Sequence, residues 1–241
     1  LNVIVNYNYP LNNNIDYFIN NFDATFLGIG ANVGKTTNIN PNNLNNVVVA
    51  NDFIKNVLIN NNYPKDKKNI VIMGGGNVAI DAARIARRIY DGKVTIIYRR
   101  AKEQMPARKD EIRLAEDESI NFSFLTNPIM CYGHKEIEVL ECLKMELVKK
   151  ENEDRLYPVE IENSNFKLDC DLFIMAISST IDKNILEGID FTYNVNVNEH
   201  YQTNINSLFA GGDVINGPST VVKAMKNGLD AAKEILAYLN K

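Results

Sequence analysis

The stretch IVIMGGGNVAIDAARIARR, residues 70–88, is followed at 94–100 by VTIIYRR. An apolar, mostly β-branched run ends on three glycines, and from Asn77 onward the apolar residues recur with the helical period. VTIIY then supplies a second strand at the spacing of a βαβ unit. Gly74, Gly76 and Ala79 match G-x-G-x-x-A, one form of the dinucleotide-binding fingerprint. Gly74 allows the tight turn, Gly76 lets backbone approach a pyrophosphate, and Ala79 lets the helix pack on the strand. The helix from Asn77 offers free N–H groups and a positive dipole end to phosphates. A lone G-x-G-x-x-A is weak, but its place between a strand and a helix argues against a simple glycine turn.

The residue after the second strand selects the dinucleotide. An acidic side chain there accepts hydrogen bonds from a ribose 2′-hydroxyl and selects NAD, whereas Arg99 and Arg100 supply forked cationic donors that suit a 2′-phosphate. The other reading of this pair is a solvated strand end, since exposed arginines are common. The pair favours NADP.

Outward from this unit, helices alternate with strands. NIVIM (69–73) is a strand, 77–90 a helix, 94–98 a strand, 106–119 a charged helix, INFSFLT a strand and DLFIMAI (171–177) a further buried strand. This order predicts a parallel sheet with helices on both faces. The stretch 135–169 alternates like antiparallel strands. Before the proline-containing connector at 63–68 come LNVIVNY, which alternates like a strand, a short helical stretch near Ile15–Phe22, the buried-strand run 22–32, and VVVANDFIKNVL, a short strand entering a helix. After Ser179, SLFAGGDV (207–214) reads as a strand and 220–239 as a long amphipathic helix. The expected organisation is a nucleotide-binding domain at 66–178 set into a second unit made from 1–62 and 180–241.

With 241 residues, 45% hydrophobic and 23% charged, the chain has the composition of a globular protein. A net charge of -4 gives no general attraction to nucleic acid or anionic membranes. No apolar run approaches the roughly 20 residues that span a bilayer, and no secretory leader is evident. Three cysteines without C-x-x-C spacing point to reduced thiols in a cytoplasmic setting, not to a disulfide framework or an iron–sulfur site within this chain. The asparagine-rich first 69 residues mark loops. His134 and His200 lie in polar segments without ligand or triad context.

GIGANVGKTT at 28–37 resembles a phosphate loop but misses its spacing. A Walker A motif has four residues between its first glycine and Gly-Lys-Thr. Here there are three from Gly30 and five from Gly28, and a proline-containing polar stretch follows where a helix is required.

The other specific segment is FAGGDVINGPSTVVKAM, 209–225. Gly211 and Gly212 allow a ligand to approach a strand end, and Asp213 offers a carboxylate to hydroxyl groups. Ser219 or Thr220 can cap the long helix, whose N-terminus points its dipole at an electron-rich group. An ordinary strand–turn–helix with a cap is the alternative.

IVIMGGGNVAIDAARIARR, VTIIYRRAKEQMPA and LFAGGDVINGPSTVVKAMKNGLDAA together resemble the glutamate synthase small-subunit family of NADPH- and FAD-dependent oxidoreductases. FDATFLGIGA resembles the strand that closes the first FAD half in that family. The resemblance runs from about residue 22 and is weakest in 135–170. It implies an α/β fold of the two-dinucleotide-binding flavoprotein type, with a Rossmann-like three-layer NAD(P)-binding domain inserted in a partial FAD-binding domain. It places Gly74, Gly75, Gly76, Asn77 and Val78 along the NADPH pyrophosphate and Arg99 and Arg100 on the 2′-phosphate. Gly30, Gly212, Asp213, Ser219, Thr220 and Val221 fall on the flavin, with Asp213 at the ribityl region and the backbone of Thr220 and Val221 at the pyrimidine end. Two departures stand out. Where the family has Ala-Ile-Gly this chain has Ala176-Ile177-Ser178, and the N-terminal FAD turn with its preceding cysteine-rich module is missing. The expectation is a fragment of a longer polypeptide.

The resemblance implies an electron-input module that takes electrons from NADPH through FAD toward iron–sulfur clusters and a large partner subunit. A side-chain acid or base is not required, because the cofactors carry the chemistry. The alternatives are an NADP(H)-binding module without independent catalysis, or the equivalent subunit of a ferredoxin–NADP or pyrimidine-reducing system. The face left by the missing FAD half predicts self-association.

Overall fold

The computed structural model describes residues 3–9, 11, 15–149 and 155–240. The strand Asn69–Met73 occupies the middle of a five-stranded sheet. Its order is Val47–Val49, Leu172–Met175, Asn69–Met73, Lys93–Tyr98 and Asn121–Phe124, with every pairing parallel. Successive side chains leave opposite faces of a strand. Ile70, Ile72, Ile96 and Ile174 face one way and pack with Phe53, Ile80, Ala83 and Ile112. Those partners come from the helices Ala50–Lys55, Asn77–Ile89 and Lys109–Asp117.

Val71, Ile97, Phe173 and Met175 face the other way and pack on Cys131, Ile137, Leu140 and Cys142. This corrects the expectation of helices on both faces. The second face is covered by an antiparallel sheet of Thr126–Gly133, Ile137–Lys149, Leu156–Glu160 and Phe166–Asp169. The segment 126–169 alternates with a period of two, so it can present an apolar face only as strands. Burial on both faces explains why the parallel strands read as unbroken apolar runs.

The chain divides into two compact units, one formed by Gly34–Ser178 and the other by the described residues of Leu1–Val33 and Ser179–Lys241. The first boundary, expected at 62–66, falls at 33/34. Val47–Val49 pairs with Phe173, Ile174 and Met175, and Ala50 and Phe53 enter the core of the same unit. The segment 34–62 therefore belongs to the sheet that carries the glycine turn.

In the second unit Thr25–Leu27 runs parallel to Leu208–Ala210, over a core that includes Ile15, Leu27, Leu186, Leu208 and Val214. The strands expected over 22–32 and 207–214 shrink to these three-residue pieces, and Asp213 opens a one-turn helix, Asp213–Asn216. LNVIVNY was expected to be a strand. Leu1 and Asn2 lie outside the described residues, and Val3, Ile4 and Val5 are exposed and form no strand. Alternation yields a strand only where a neighbour takes its N–H and C=O groups. The long helix is Val221–Leu239, capped by Thr220 Oγ1, which accepts from Lys223 N at 3.3 Å. Among the described residues no helix is long and apolar enough to cross a membrane.

Candidate functional site

The glycine turn sits at the C-terminal end of the central strand, where open α/β sheets bind ligands. Gly74 has φ +149°, and a Cβ there would lie 2.3 Å from the Ala176 carbonyl oxygen. Gly75 is held by packing, since a Cβ would lie 2.5 Å from the Tyr98 ring. Gly76 meets nothing within 4 Å, so the turn is open to a ligand at this position. Asn77 and Val78 are exposed, and no side chain caps the helix they begin. Its first N–H groups are therefore available to an anion. Ala79 is fully buried against the strand.

The Met105-Pro106-Ala107 segment is fastened to this turn. Ala107 N donates to Gly75 O at 3.1 Å, Arg108 N donates to Asn77 Oδ1 at 3.1 Å, and the Tyr98 hydroxyl donates to Gln104 O at 2.8 Å. These bonds fix one wall of a cleft of about 630 Å³ lined by Gly74, Tyr98, Arg99, Arg100, Gln104 and Arg155, among others. Among the described residues, no acidic side chain lines the cleft. Arg100 Nε and Gln104 Oε1 are buried without a hydrogen-bond partner among the described residues. A buried polar atom left unpaired costs on the order of 1–3 kcal/mol, so both atoms mark where a polar ligand fits. Of the residues singled out in the sequence, Gly74, Arg99 and Arg100 line this one cleft. Gly75, Gly76, Asn77 and Val78 follow Gly74 along the turn.

The loop 28–37 forms no phosphate cradle. After Gly30 the chain makes a two-residue strand, Val33–Gly34, and no helix begins before Ala50.

The second constellation lies wholly in the other unit. Leu27 and Ala210 are partners across the parallel pair, and Gly211 N donates to Leu27 O at 3.3 Å. The turns after both strands thus leave the same end of the pair. Gly30 (φ +71°) has open space at its Cβ position, and Gly212 has φ +80°. The loop is set by Asn227, whose Oδ1 accepts from Gly212 N at 3.3 Å and from Asn216 Nδ2 at 2.6 Å. Its Nδ2 donates to the Tyr201 hydroxyl at 3.2 Å. Asp213 Oδ1 accepts from Ser219 N at 3.2 Å and Oγ at 3.0 Å. Ser219 therefore closes the loop onto Asp213, and Thr220 is the cap. Val221 is 75% exposed at the head of the helix. Gly30 has open space beside it, and Asp213 Oδ2 takes no bond from the described residues, features that suit a flavin with its ribityl hydroxyls.

Sequence reasoning missed Arg155, Asn127 and Asn227. Asn127 and Arg155 reach the cleft through antiparallel pairing, which local pattern does not report. Asn227 is a polar residue on a helix face, 8% exposed, and buried asparagine in such a place signals a network. The three cysteines are buried in one core. Burial pushes the Cys131 thiol up to about 11 and the Cys142 thiol up to about 12, and it raises Cys170 as well. These thiols are packing residues, not nucleophiles.

Known proteins place this geometry in context. The chain is 30% identical over 234 residues to the NADP(+)-dependent formate dehydrogenase subunit beta of Moorella thermoacetica, covering 94% of this chain and 33% of that one. It is 30% identical over 178 residues to the glutamate synthase [NADPH] small chain of Azospirillum brasilense, covering 71% of this chain and 37% of that one. The chain thus spans about a third of the length of these curated relatives. The structure of Mycobacterium tuberculosis FprA in complex with NADPH superposes with a TM-score of 0.80 at 18% identity, over 93% of this chain and 65% of that one. At that identity the likeness is one of fold. The family model for pyridine nucleotide-disulphide oxidoreductases matches residues 16–228, and the chain belongs to that family.

Proposed function

We propose that this chain is the NADPH-binding part, with a portion of the flavin site, of an oxidoreductase similar to the glutamate synthase small subunit. In this reading electrons from NADPH leave through FAD toward iron–sulfur clusters and a partner subunit. The observation that carries it is the cleft, which gathers Gly74, Arg99 and Arg100 and, among the described residues, contains no carboxylate. Arginine forks without a nearby carboxylate suit a 2′-phosphate and leave a 2′-hydroxyl without its acceptor. The relatives add support, because two of them are named as NADP- or NADPH-linked subunits.

When bound, the nicotinamide and the flavin supply the hydride and electron chemistry. The chain's own residues bind and orient. The helix at Asn77 and the open face of Gly76 receive the pyrophosphate, and Arg99 and Arg100 receive the 2′-phosphate. In the second unit Gly30 and Gly212 give close backbone approach to the flavin, Asp213 takes a ribityl hydroxyl, and Thr220 with Val221 faces the pyrimidine end. The buried, protonated cysteines take no part, so the electrons go to an acceptor other than a disulfide within this chain.

The test is an absorbance spectrum of the purified chain before and after incubation with FAD and desalting. A retained flavin band supports the reading in full. A colourless protein that still binds NADPH supports a second reading, an NADP(H)-binding module without independent catalysis. The observation favouring that alternative is the helix Val221–Leu239, which exposes Val221, Val222, Met225 and Leu229 at 63–77%. An apolar stripe of this kind is normally covered. Self-association through it follows, and sedimentation as a strict monomer at high concentration would contradict that part.

A further inference from the structure

Three arginines, not two, line the nucleotide cleft. Arg99 and Arg100 directly follow the parallel strand Lys93–Tyr98, while Arg155 stands at the antiparallel sheet, immediately before the strand Leu156–Glu160. Its backbone position is set by the ladder, in which Leu156 pairs with Lys149 and Tyr157 with Val148. Its guanidinium carbon lies 5.9 Å from the centroid of the Tyr157 ring, within the range at which an aromatic face steadies a cation. Arg155 is exposed, yet among the described residues no carboxylate pairs with it, nor with Arg99 or Arg100. Two other arginines of the same unit are neutralised by carboxylates. Arg84 bonds Glu111 and Glu118 at 3.0 and 2.8 Å, and Arg88 also reaches Glu118. Guanidiniums that line one cleft repel one another, and an anion bound among them offsets that repulsion.

We propose that Arg155 is a third phosphate-binding residue and a determinant of NADPH selectivity, closing on the 2′-phosphate from the antiparallel sheet. This rests on the reading of the cleft as an NADPH site. A phosphomonoester carries about −1.5 to −2 charge at neutral pH and three acceptor oxygens, one for each arginine fork. The antiparallel sheet then has two roles. It covers the apolar face made by Val71, Ile97 and Phe173, and it delivers a charge to the cleft.

The experiment measures binding of adenosine 2′,5′-bisphosphate and of ADP by calorimetry to the full chain and to two variants. Arg155→Ala removes the proposed contact. Arg113→Ala is a control that removes an exposed charge from the helix Lys109–Asp117, outside the cleft. The loss of one charge-assisted contact predicts that Arg155→Ala binds the bisphosphate about tenfold more weakly. ADP affinity, and both affinities of Arg113→Ala, should change less than about twofold, as expected of surface charge alone. Arg155→Ala indistinguishable from Arg113→Ala overturns the proposal while leaving the NADPH site standing. An equal loss for both ligands moves Arg155 off the 2′-phosphate and also overturns it. Should the parent chain bind the bisphosphate no better than ADP, the NADPH reading itself fails, whatever Arg155 does.

Discussion

The two units of this molecule differ in how completely they cover their own apolar surface. In Gly34–Ser178 the parallel sheet is buried on both faces, by three helices on one side and an antiparallel sheet on the other. Its cleft draws on the glycine turn, the strand end with Arg99 and Arg100, and the start of the antiparallel layer at Thr126 and Asn127, all within the same unit. The other unit has a two-stranded parallel pair and a long helix in which only Asn227 and Ala231 are buried, while Val221, Val222, Met225, Leu229 and Leu236 are exposed. Burial is the main source of folding free energy. A unit that leaves such a face open has weaker means of holding a ligand loop, and it relies more on polar bonds such as those of Asn227. The cleft proposed for the nucleotide is therefore expected to work without help, and the loop proposed for the flavin to depend on a cover for that face.

The largest effect that could break this comparison is on nucleotide choice. Replacing Arg99 and Arg100 together by Ala should weaken NADPH binding about a hundredfold, with NADH changing less than about threefold, because two charge-assisted contacts are lost. Equal losses in a fluorescence titration would remove the 2′-phosphate assignment. Next comes Asn227→Ala. It leaves Gly212 N and the Tyr201 hydroxyl without this partner, while Asn216 Nδ2 keeps its bond to Gly212 O, and should cost about 2 kcal/mol in denaturant melts. If the two units are as different as described, NADPH affinity stays unchanged in this variant. A parallel fall in NADPH affinity would mean that the nucleotide cleft depends on the other unit after all.

A smaller effect concerns the anchoring of the fingerprint helix. Arg84 beside Glu118, with Arg88, holds that carboxyl below its ordinary range. The group is ionised in the fold at pH values where it is protonated in the unfolded chain. Its stabilising contribution is present above the ordinary Glu range and is lost as pH falls through the lowered folded value. Glu118→Gln should cost about 1 kcal/mol at neutral pH, given partial solvent screening, and should flatten the acid limb of the stability curve. An unchanged acid limb in pH-dependent melts would rule this out. The smallest effect is a gain. Ser178 holds φ +149°, a conformation that favours glycine. Ser178→Gly should raise stability by up to about 1 kcal/mol by relieving backbone strain. A loss in thermal melts would show that the serine side chain contributes more than the strain costs.

The nucleotide turn was legible in the sequence because each of its constraints is local. A strand, three glycines and an amphipathic helix follow one another within 69–89, and the chain folds them in that order. The arginine pair was legible for the same reason, lying at the end of the next strand. What pattern could not show depends on distant pairing. Val47–Val49 joins the sheet through Leu172–Met175, more than a hundred residues away, so its place in the nucleotide unit has no local signature. The alternation at 137–149 identified strands but not the surface they would cover, and helices were expected on that face. Arg155 carries no cue of its own within the charged stretch 135–169, and the ladder of the following strand with Lys149 and Val148 brings it to the cleft. In the other unit Gly30 and Gly212 have φ +71° and +80°, conformations that favour glycine. The bond from Ser219 to Asp213 had no sequence cue beyond two polar residues six apart.

The most direct measurement is the affinity of the unmodified chain for NADPH and for NADH, taken side by side at one ionic strength without added flavin. A cleft with arginine forks and no carboxylate among its described residues predicts binding of NADPH at least about tenfold tighter than NADH, the value of one charge-assisted contact. Equal affinities, or a preference for NADH, would contradict the account at its centre.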